Sequence, residues 1–288
     1  MNRLSLTASV LVLGLAGPAL AASNTSNVEQ IGDTHTAIVS QNGTNNTNIS
    51  DIKQEGTGQK ADVEQVGNNN TNDSIIKQKG NANISIVRQR GDTNTLNKSV
   101  IDTQDGKANQ VYLDQYGTGN SLNDSFAKSI GDNNIIDIKQ GGDGNTNKSS
   151  ADIGVNFNTI TVYQNGDGNT NTANAKTSGG NTNHVLIDQR GSGNISAATT
   201  DVDGSFNVAN TYQDGIGNTN TSLIDINGSS DNTVNVTQNG SGNTQTSEAH
   251  INGGGSNTIT VGQSGNGNTN GSVVNTAGTG NTVTVSQF

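Results

Sequence analysis

The chain has 288 residues, of which 28% are hydrophobic, 3% aromatic and 13% charged, and its formal net charge is −10. A globular domain of this length is roughly 45–50% apolar and about 25% charged, so a conventional core is excluded, and the low charge also separates the chain from typical disordered sequences. The acidic balance offers no basic patch for nucleic acid. The absence of cysteine excludes disulfides and thiolate metal sites. His35, His184 and His250 share no motif, so no metal or catalytic cluster is predicted.

Residues 1–21 have the pattern of a secretory signal peptide. Arg3 supplies the positive charge, an apolar run extends over residues 4–15, and Ala19-Leu20-Ala21 has the small-x-small pattern that signal peptidase recognises. We therefore predict cleavage after Ala21. The apolar run is too short for a spanning helix and no later segment approaches the required length, so we expect an exported protein without membrane insertion.

Residues 22–288 repeat a unit of about 24 residues that has two unequal halves. One half follows Asn-x-Φ-x-Φ-x-Gln with Φ aliphatic, and each glutamine before the last is followed by x-Gly-x-x-Asn. The glutamines, predicted to form a ladder, are Gln41, Gln65, Gln89, Gln115, Gln140, Gln164, Gln189, Gln213, Gln238, Gln263 and Gln287. The turn glycines are Gly43, Gly67, Gly91, Gly117, Gly142, Gly166, Gly191, Gly215, Gly240 and Gly265. The asparagines after the turns, also predicted ladder residues, are Asn46, Asn70, Asn94, Asn120, Asn145, Asn169, Asn194, Asn218, Asn243 and Asn268.

The residue pattern within each half has a period of two, which predicts strands. If Asn158 points inward, Ile160, Val162 and Gln164 do so as well, and the residues between them face solvent. The second half alternates in the same way, as residues 268–276 illustrate. Glycine after each glutamine permits the positive φ of a tight corner.

Two strands and two corners in each unit describe one coil of a flat solenoid. We predict an all-β fold, a parallel β-solenoid of about eleven two-strand coils with two facing parallel sheets, amyloid-like in its stacking. At about 4.8 Å for each coil, the rod is about 50 Å long. Buried Asn and Gln side chains are expected to stack on their copies in amide ladders, which satisfies polar groups that are costly to bury alone.

The ends of the repeat array bear on function. The pattern continues to Gln287-Phe288, and the first Gln-x-Gly (Gln30, Gly32) follows soon after the predicted cleavage. Monomeric solenoids cap their terminal coils, and the sequence suggests no such cap, so we expect open edges that join head to tail into a filament. No Lys or Arg follows Arg190 and no Asp or Glu follows Glu248. Because charges oppose cross-β assembly, the C-terminal coils are expected to accept the next subunit first.

The repeat resembles that of the curlin family, the subunits of curli amyloid fibres on bacterial surfaces. The family repeat is written Ser-x5-Gln-x-Gly-x2-Asn-x-Ala-x3-Gln, and residues 158–169, 207–218 and 232–243 match its central part with Asn in place of Ser. The similarity covers residues 27–288, and the Gln287-Phe288 ending is also similar. The second family glutamine corresponds here to Gln30, Gln54, Gln78 and Gln104, and then to Ser129, Asp152, Thr177, Val202, Ile226, Ile251 and Thr276. The resemblance implies a nucleator subunit and an outer-membrane secretion pore as partners.

Three other classes are less consistent with the sequence. An ice-binding solenoid needs a continuous outward threonine array, which Thr258 and Thr260 suggest but the outward Asp137 and Leu186 interrupt. Calcium-binding repeats need recurring carboxylates at the corners, where Asn and Thr predominate. A polysaccharide-cleaving β-helix needs a cleft with paired carboxylates or with a basic residue that activates a carbon acid, and the acidic residues occur singly, as at Asp188.

We therefore expect a secreted, self-assembling functional amyloid, the major subunit of a curli-like extracellular fibre for adhesion and biofilm matrix, located on the bacterial cell surface. An ice-binding protein and the minor nucleator of the same fibre are the alternatives. The expected partner is the chain itself, with no enzymatic activity, cofactor, metal or nucleic acid. Regular repeats without a divergent basic final unit favour the major subunit.

Overall fold

The computed structural model describes residues 10–16, for the backbone only, and residues 23–94 and 96–288. Every regular element in this part of the chain is a strand. The predicted cleavage site after Ala21 lies outside the described residues.

The strands form two parallel sheets in which each strand pairs with the strand two places along the chain. The odd sheet contains β1 (Val10–Ala16), β3 (Thr36–Asn42), β5 (Lys60–Val66), β7 (Ile84–Arg90), β9 (Gln110–Tyr116), β11 (Ile135–Gln140), β13 (Thr159–Gln164), β15 (His184–Gln189), β17 (Val208–Ile216), β19 (Thr233–Ser241), β21 (Thr258–Gln263) and β23 (Thr282–Gln287). The even sheet contains β2 (Ser23–Asp33), β4 (Thr47–Thr57), β6 (Thr71–Asn81), β8 (Asn97–Lys107), β10 (Leu122–Ile130), β12 (Thr146–Ile153), β14 (Thr170–Thr177), β16 (Ile195–Val202), β18 (Thr219–Asn227), β20 (Thr244–Asn252) and β22 (Thr269–Ala277).

One even strand and the odd strand after it make one coil, so β2 to β23 make eleven coils. The predicted parallel β-solenoid with two facing sheets is thereby confirmed. The odd sheet has one further strand, β1, which lies outside the repeat and pairs with β3.

The core is a thin layer of aliphatic side chains between the two sheets. In β13, Ile160, Val162 and Gln164 are buried and the alternate residues are partly exposed, as the period of two predicts. Register partners have matching burial, so Ile136, Ile160 and Val185 form one continuous column. Each aliphatic residue therefore packs on the coils before and after it as well as across the core.

Glycine is required at the corner that follows each ladder glutamine from Gln41 to Gln263. Gly166 has φ +126°, and a Cβ there would overlap the carbonyl oxygen of Gly191 in the next coil. Two residues later, Gly168 has φ +64° and open space around it. The corner thus contains one glycine that is needed for close stacking and one that is needed only for its backbone conformation.

Two register expectations for the even sheet are wrong. The register that starts at Asn72 and Asn97 places Thr103, not Gln104, beside Gln78, and Gln104 donates a 2.7 Å hydrogen bond to Asp102 instead. A bulge follows between Gln78 and Gly80 and takes up one further residue, so that Gly106 lies opposite Gly80. In β12, the strict alternation from Asn147 makes Ile153 the buried residue, and Asp152 faces outward.

Candidate functional site

The predicted glutamine column is a continuous hydrogen-bonded chain along the rod. The Nε2 atom of each glutamine donates to the Oε1 atom of the glutamine in the next coil, from Gln41 to Gln287, at 2.7–3.1 Å. All except Gln287, which lies in the outermost strand, are buried. Every amide in the column therefore points its donor toward the C-terminal end.

The same amides also tie the two sheets together. The Nε2 atom of Gln164 donates across the core to the Lys148 carbonyl at 2.9 Å, and Gln213 contacts the Ala197 carbonyl at 3.1 Å. All eleven glutamines make the equivalent contact with the facing even strand. Each glutamine amide group thus uses both of its N–H donors, one along the rod and one across the core.

The corner asparagines bond to the backbone and not to each other's amides. The Oδ1 atom of Asn145 accepts from the Asn169 N–H at 2.8 Å, and its Nδ2 atom donates to the Gly166 carbonyl at 2.6 Å. The backbone N–H link recurs from Asn46 to Asn268. These side chains hold each corner to the corner of the next coil.

The residues assigned from sequence omit a second amide ladder in the even sheet. Most members lie two residues after a corner asparagine, and Asn97 and Asn123 lie three residues after one, so the recurrent Asn-x-Asn was the available signal. They are Asn24, Asn48, Asn72, Asn97, Asn123, Asn147 and Asn171. In this ladder each Nδ2 atom donates toward the N-terminal end, at 2.8–3.1 Å, which is opposite to the glutamine column.

The second ladder is interrupted at Ser196. This residue is the register partner of both Asn171 and Asn220, and its short side chain does not continue the amide chain. Ser196 Oγ and both side-chain polar atoms of Asn220 are buried without a partner. The coil that contains β16 is therefore one of the places where buried polar groups are not satisfied.

The three histidines lie in unrelated environments. His35 is 1% exposed, with its Nε2 atom 3.1 Å from the Ile31 carbonyl. It occupies the corner position that Gln59 and Asn83 take in the next two coils, where each side chain likewise contacts the carbonyl four residues before it. His184 is exposed, and His250 lies on the even sheet with its ring nitrogens 3.5 Å from Asp225 and 3.7 Å from Glu248. No group of His, Asp and Glu in the described part of the chain is arranged to hold a metal ion.

Ion pairs on the outer faces connect neighbouring strands. Arg90 contacts Asp114 of the next odd strand at 2.8 Å, and hydrogen bonding to that carboxylate raises the Arg90 pKa. Arg190, the residue after β15, pairs with Asp188 of that strand, which is only 5% exposed, and this bond raises the Arg190 pKa. Burial raises the pKa of Asp73. Exposed pairs contribute about 0–1 kcal/mol each, so they are secondary to the internal ladders.

The two ends of the rod present strand edges. β22 and β23 are the last strands of their sheets, and no other described strand pairs with their outer sides. Val283 and Val285 are only partly buried against the core there, and Val28 of β2 has the same status at the opposite end. Aliphatic side chains of the kind that internal coils bury are therefore partly exposed at both edges.

No family model matches this chain, and no curated protein does either. The described residues include no helix with the length and apolar character needed to cross a membrane. The proposed role therefore depends on the geometry of the ladders and edges.

Proposed function

We propose that this protein is a secreted, self-assembling fibre subunit that polymerises by end-on stacking of its coils. The observation that carries the proposal is the glutamine column, in which each coil offers an aligned acceptor to the coil before it and an aligned donor to the coil after it. A further coil from a second copy supplies the same partner that an internal coil supplies. The curli-like extracellular fibre for adhesion and biofilm matrix is the biological role that fits such a subunit.

The edge strands support this assignment. The partly buried Val283 and Val285 regain a covering layer only when another coil stacks on β22 and β23. Burying a valine completely is worth about 1.5–3 kcal/mol, and a stacked coil also pairs a row of backbone groups. Assembly of identical rods through unlike edges does not close, so the product is a filament.

The direct test is seeded growth of a chain that begins at Ala22. The strands from β2 onward form the complete set of eleven coils, and β3 is the only described strand that β1 contacts, so this chain retains the whole repeat core. Thioflavin T fluorescence is expected to show a lag that preformed seeds abolish, and fibre diffraction is expected to show the spacings of about 4.8 and 10 Å. A stable monomer at micromolar concentration would falsify the proposal.

A pair of charge variants separates end-on stacking from a general effect of charge. Val283→Lys with Val285→Lys places two ammonium groups on the inward side of β23, where the next coil must pack, and seeded growth is expected to be lost. Thr282→Lys with Thr284→Lys adds the same charge to the exposed side of the same strand and is expected to retain more growth. Equal rates for the two variants would contradict the assignment of this edge.

Ice binding is a second candidate because the structure aligns outward threonines on the odd sheet. Thr258 is the register partner of Thr282, and Thr260 is the partner of Thr284. Toward the middle of the rod the same face contains Asp137 and Leu186 beside Thr161, so the array is short. Thermal hysteresis produced by soluble monomer would favour this candidate over the fibre.

A further inference from the structure

The N-terminal edge of the odd sheet is occupied by a strand from outside the repeat. β1 pairs in parallel with β3, with Gly14 opposite Ser40 and Leu15 opposite Gln41. It contacts no other strand in the described part of the chain. No strand among the described residues covers the edge of β2 in the same coil.

A second copy stacking by end-on growth needs that same edge. Within the chain, Gln263 pairs with Gln287 and Gly262 with Ser286. Continuing the register by one coil sets Gln287 of one copy opposite Gln41 of the next, and Ser286 opposite Ser40. These are the positions at which β1 already pairs, so β1 and the β23 of another copy compete for one row of backbone groups.

We propose that residues 10–16 act as a built-in stopper, which closes the receiving edge of β3 until this segment is released. The inference rests on the proposed function, since it concerns the same filament contact. A chain that retains β1 still presents free β22 and β23 edges and joins the exposed β2 and β3 of a released copy. No further copy can stack on its own N-terminal end, because a stacking coil must pair with both β2 and β3. A population in which every chain retains β1 therefore does not elongate.

A disulfide staple tests the competition directly. The chain has no cysteine, so Gly14→Cys with Ser40→Cys introduces a single pair at register partners. Strand neighbours about 4.8 Å apart fall within the Cα separation of about 4.4–6.8 Å that disulfides allow. A protease site inserted between residues 16 and 22 then permits cleavage while the oxidised bond holds β1 in place.

The oxidised, cleaved protein is expected to show no seeded growth, and reduction is expected to start growth at the rate of a chain that begins at Ala22 and carries Ser40→Cys. An uncut full-length chain with Val12→Pro and Gly14→Pro, which prevents strand pairing by β1, is expected to elongate. Growth of the oxidised protein at the reduced rate overturns the stopper, as does failure of the disulfide to form. If the chain beginning at Ala22 also fails to grow, the proposed function itself is wrong.

Discussion

At the residue scale, the interior is organised by carboxamides that bond to their own copies. The glutamine column is continuous through all eleven coils, whereas the asparagine ladder of the even sheet ends at Asn171. The ladder stops at Ser196, whose hydroxyl is too short to connect its neighbours. It does not resume in the later coils, where Asn220, Gln245 and Asn270 follow in register and each keeps a buried polar atom without a partner. Individual residues thus decide where the interior is fully hydrogen-bonded and where it is not.

Ser196→Asn is expected to stabilise the fold. The new amide continues the ladder from Asn171 to Asn220, whose side chain has no partner at present. Since a buried unsatisfied polar group costs about 1–3 kcal/mol, the free energy of unfolding should rise by about 1 kcal/mol or more. Urea denaturation at a protein concentration below that needed for assembly measures this free energy, and Ala197→Asn on the outer face is the control. A lower midpoint for Ser196→Asn would contradict the ladder interpretation.

Gln164→Leu is expected to destabilise the rod strongly. The substitution removes the acceptor of Gln140, the donor to Gln189 and the link to the Lys148 carbonyl. With about 1–3 kcal/mol for each orphaned group, the loss is expected to be several kcal/mol. Gln110→Leu, on the outer face, removes one acceptor of the Tyr112 hydroxyl and serves as the control in the same denaturation experiment. Similar losses for both variants would argue against a special role of the column.

At the element scale, the corners determine how closely strands stack. Each turn glycine with φ between +94° and +139° lies against the next coil, so its missing Cβ is a requirement of stacking as well as of backbone geometry. Corner asparagines then bind the same corners through Oδ1 and Nδ2. The strands are short, and their alignment depends on these corners.

Gly166→Ala and Gly168→Ala are expected to differ clearly. Both residues have positive φ, but a Cβ at Gly166 overlaps the Gly191 carbonyl, whereas one at Gly168 meets open space. Gly168→Ala should cost about 1 kcal/mol for the backbone conformation, and Gly166→Ala should cost considerably more. Thermal or urea unfolding of the two variants provides the comparison, and equal losses would show that steric contact between coils is unimportant.

At the scale of the whole molecule, the rod has dissimilar surfaces. Its ends present strand edges, while its sides carry scattered charges that sum to a net −10 for the chain. Like charge on the sides disfavours contact between parallel filaments, and the open ends favour continued stacking. The molecule is therefore suited to grow in length more than in width.

Raising salt is expected to increase side-by-side association of filaments. The Debye length falls from about 30 Å at 0.01 M to about 10 Å at 0.1 M, which screens repulsion between acidic sides. Filament width in electron micrographs should increase with salt, while the rate of seeded elongation should change much less because the end contacts are ladders and apolar packing. Filaments that are equally wide at both salt concentrations would contradict this account.

The sequence by itself determined the architecture of this protein. The spacing of its glutamines, the period of two within each half and the corner glycines together predicted two stacked parallel sheets, since only a repeated coil buries so few aliphatic residues continuously. It also indicated which columns would contain amides, because identical residues at a constant period must meet when coils stack.

Only the tertiary structure decided how those amides bond and which strand covers the first edge. Donor direction depends on the carbonyl that each side chain faces across the core, which periodicity does not specify. The choice of Thr103 over Gln104 depended on where the additional residues of this coil are accommodated, since one extra residue reverses which side chain points inward. The pairing of β1 with β3 was likewise invisible in the repeat, because an open sheet edge accepts any strand with free backbone groups and not only a copy of itself.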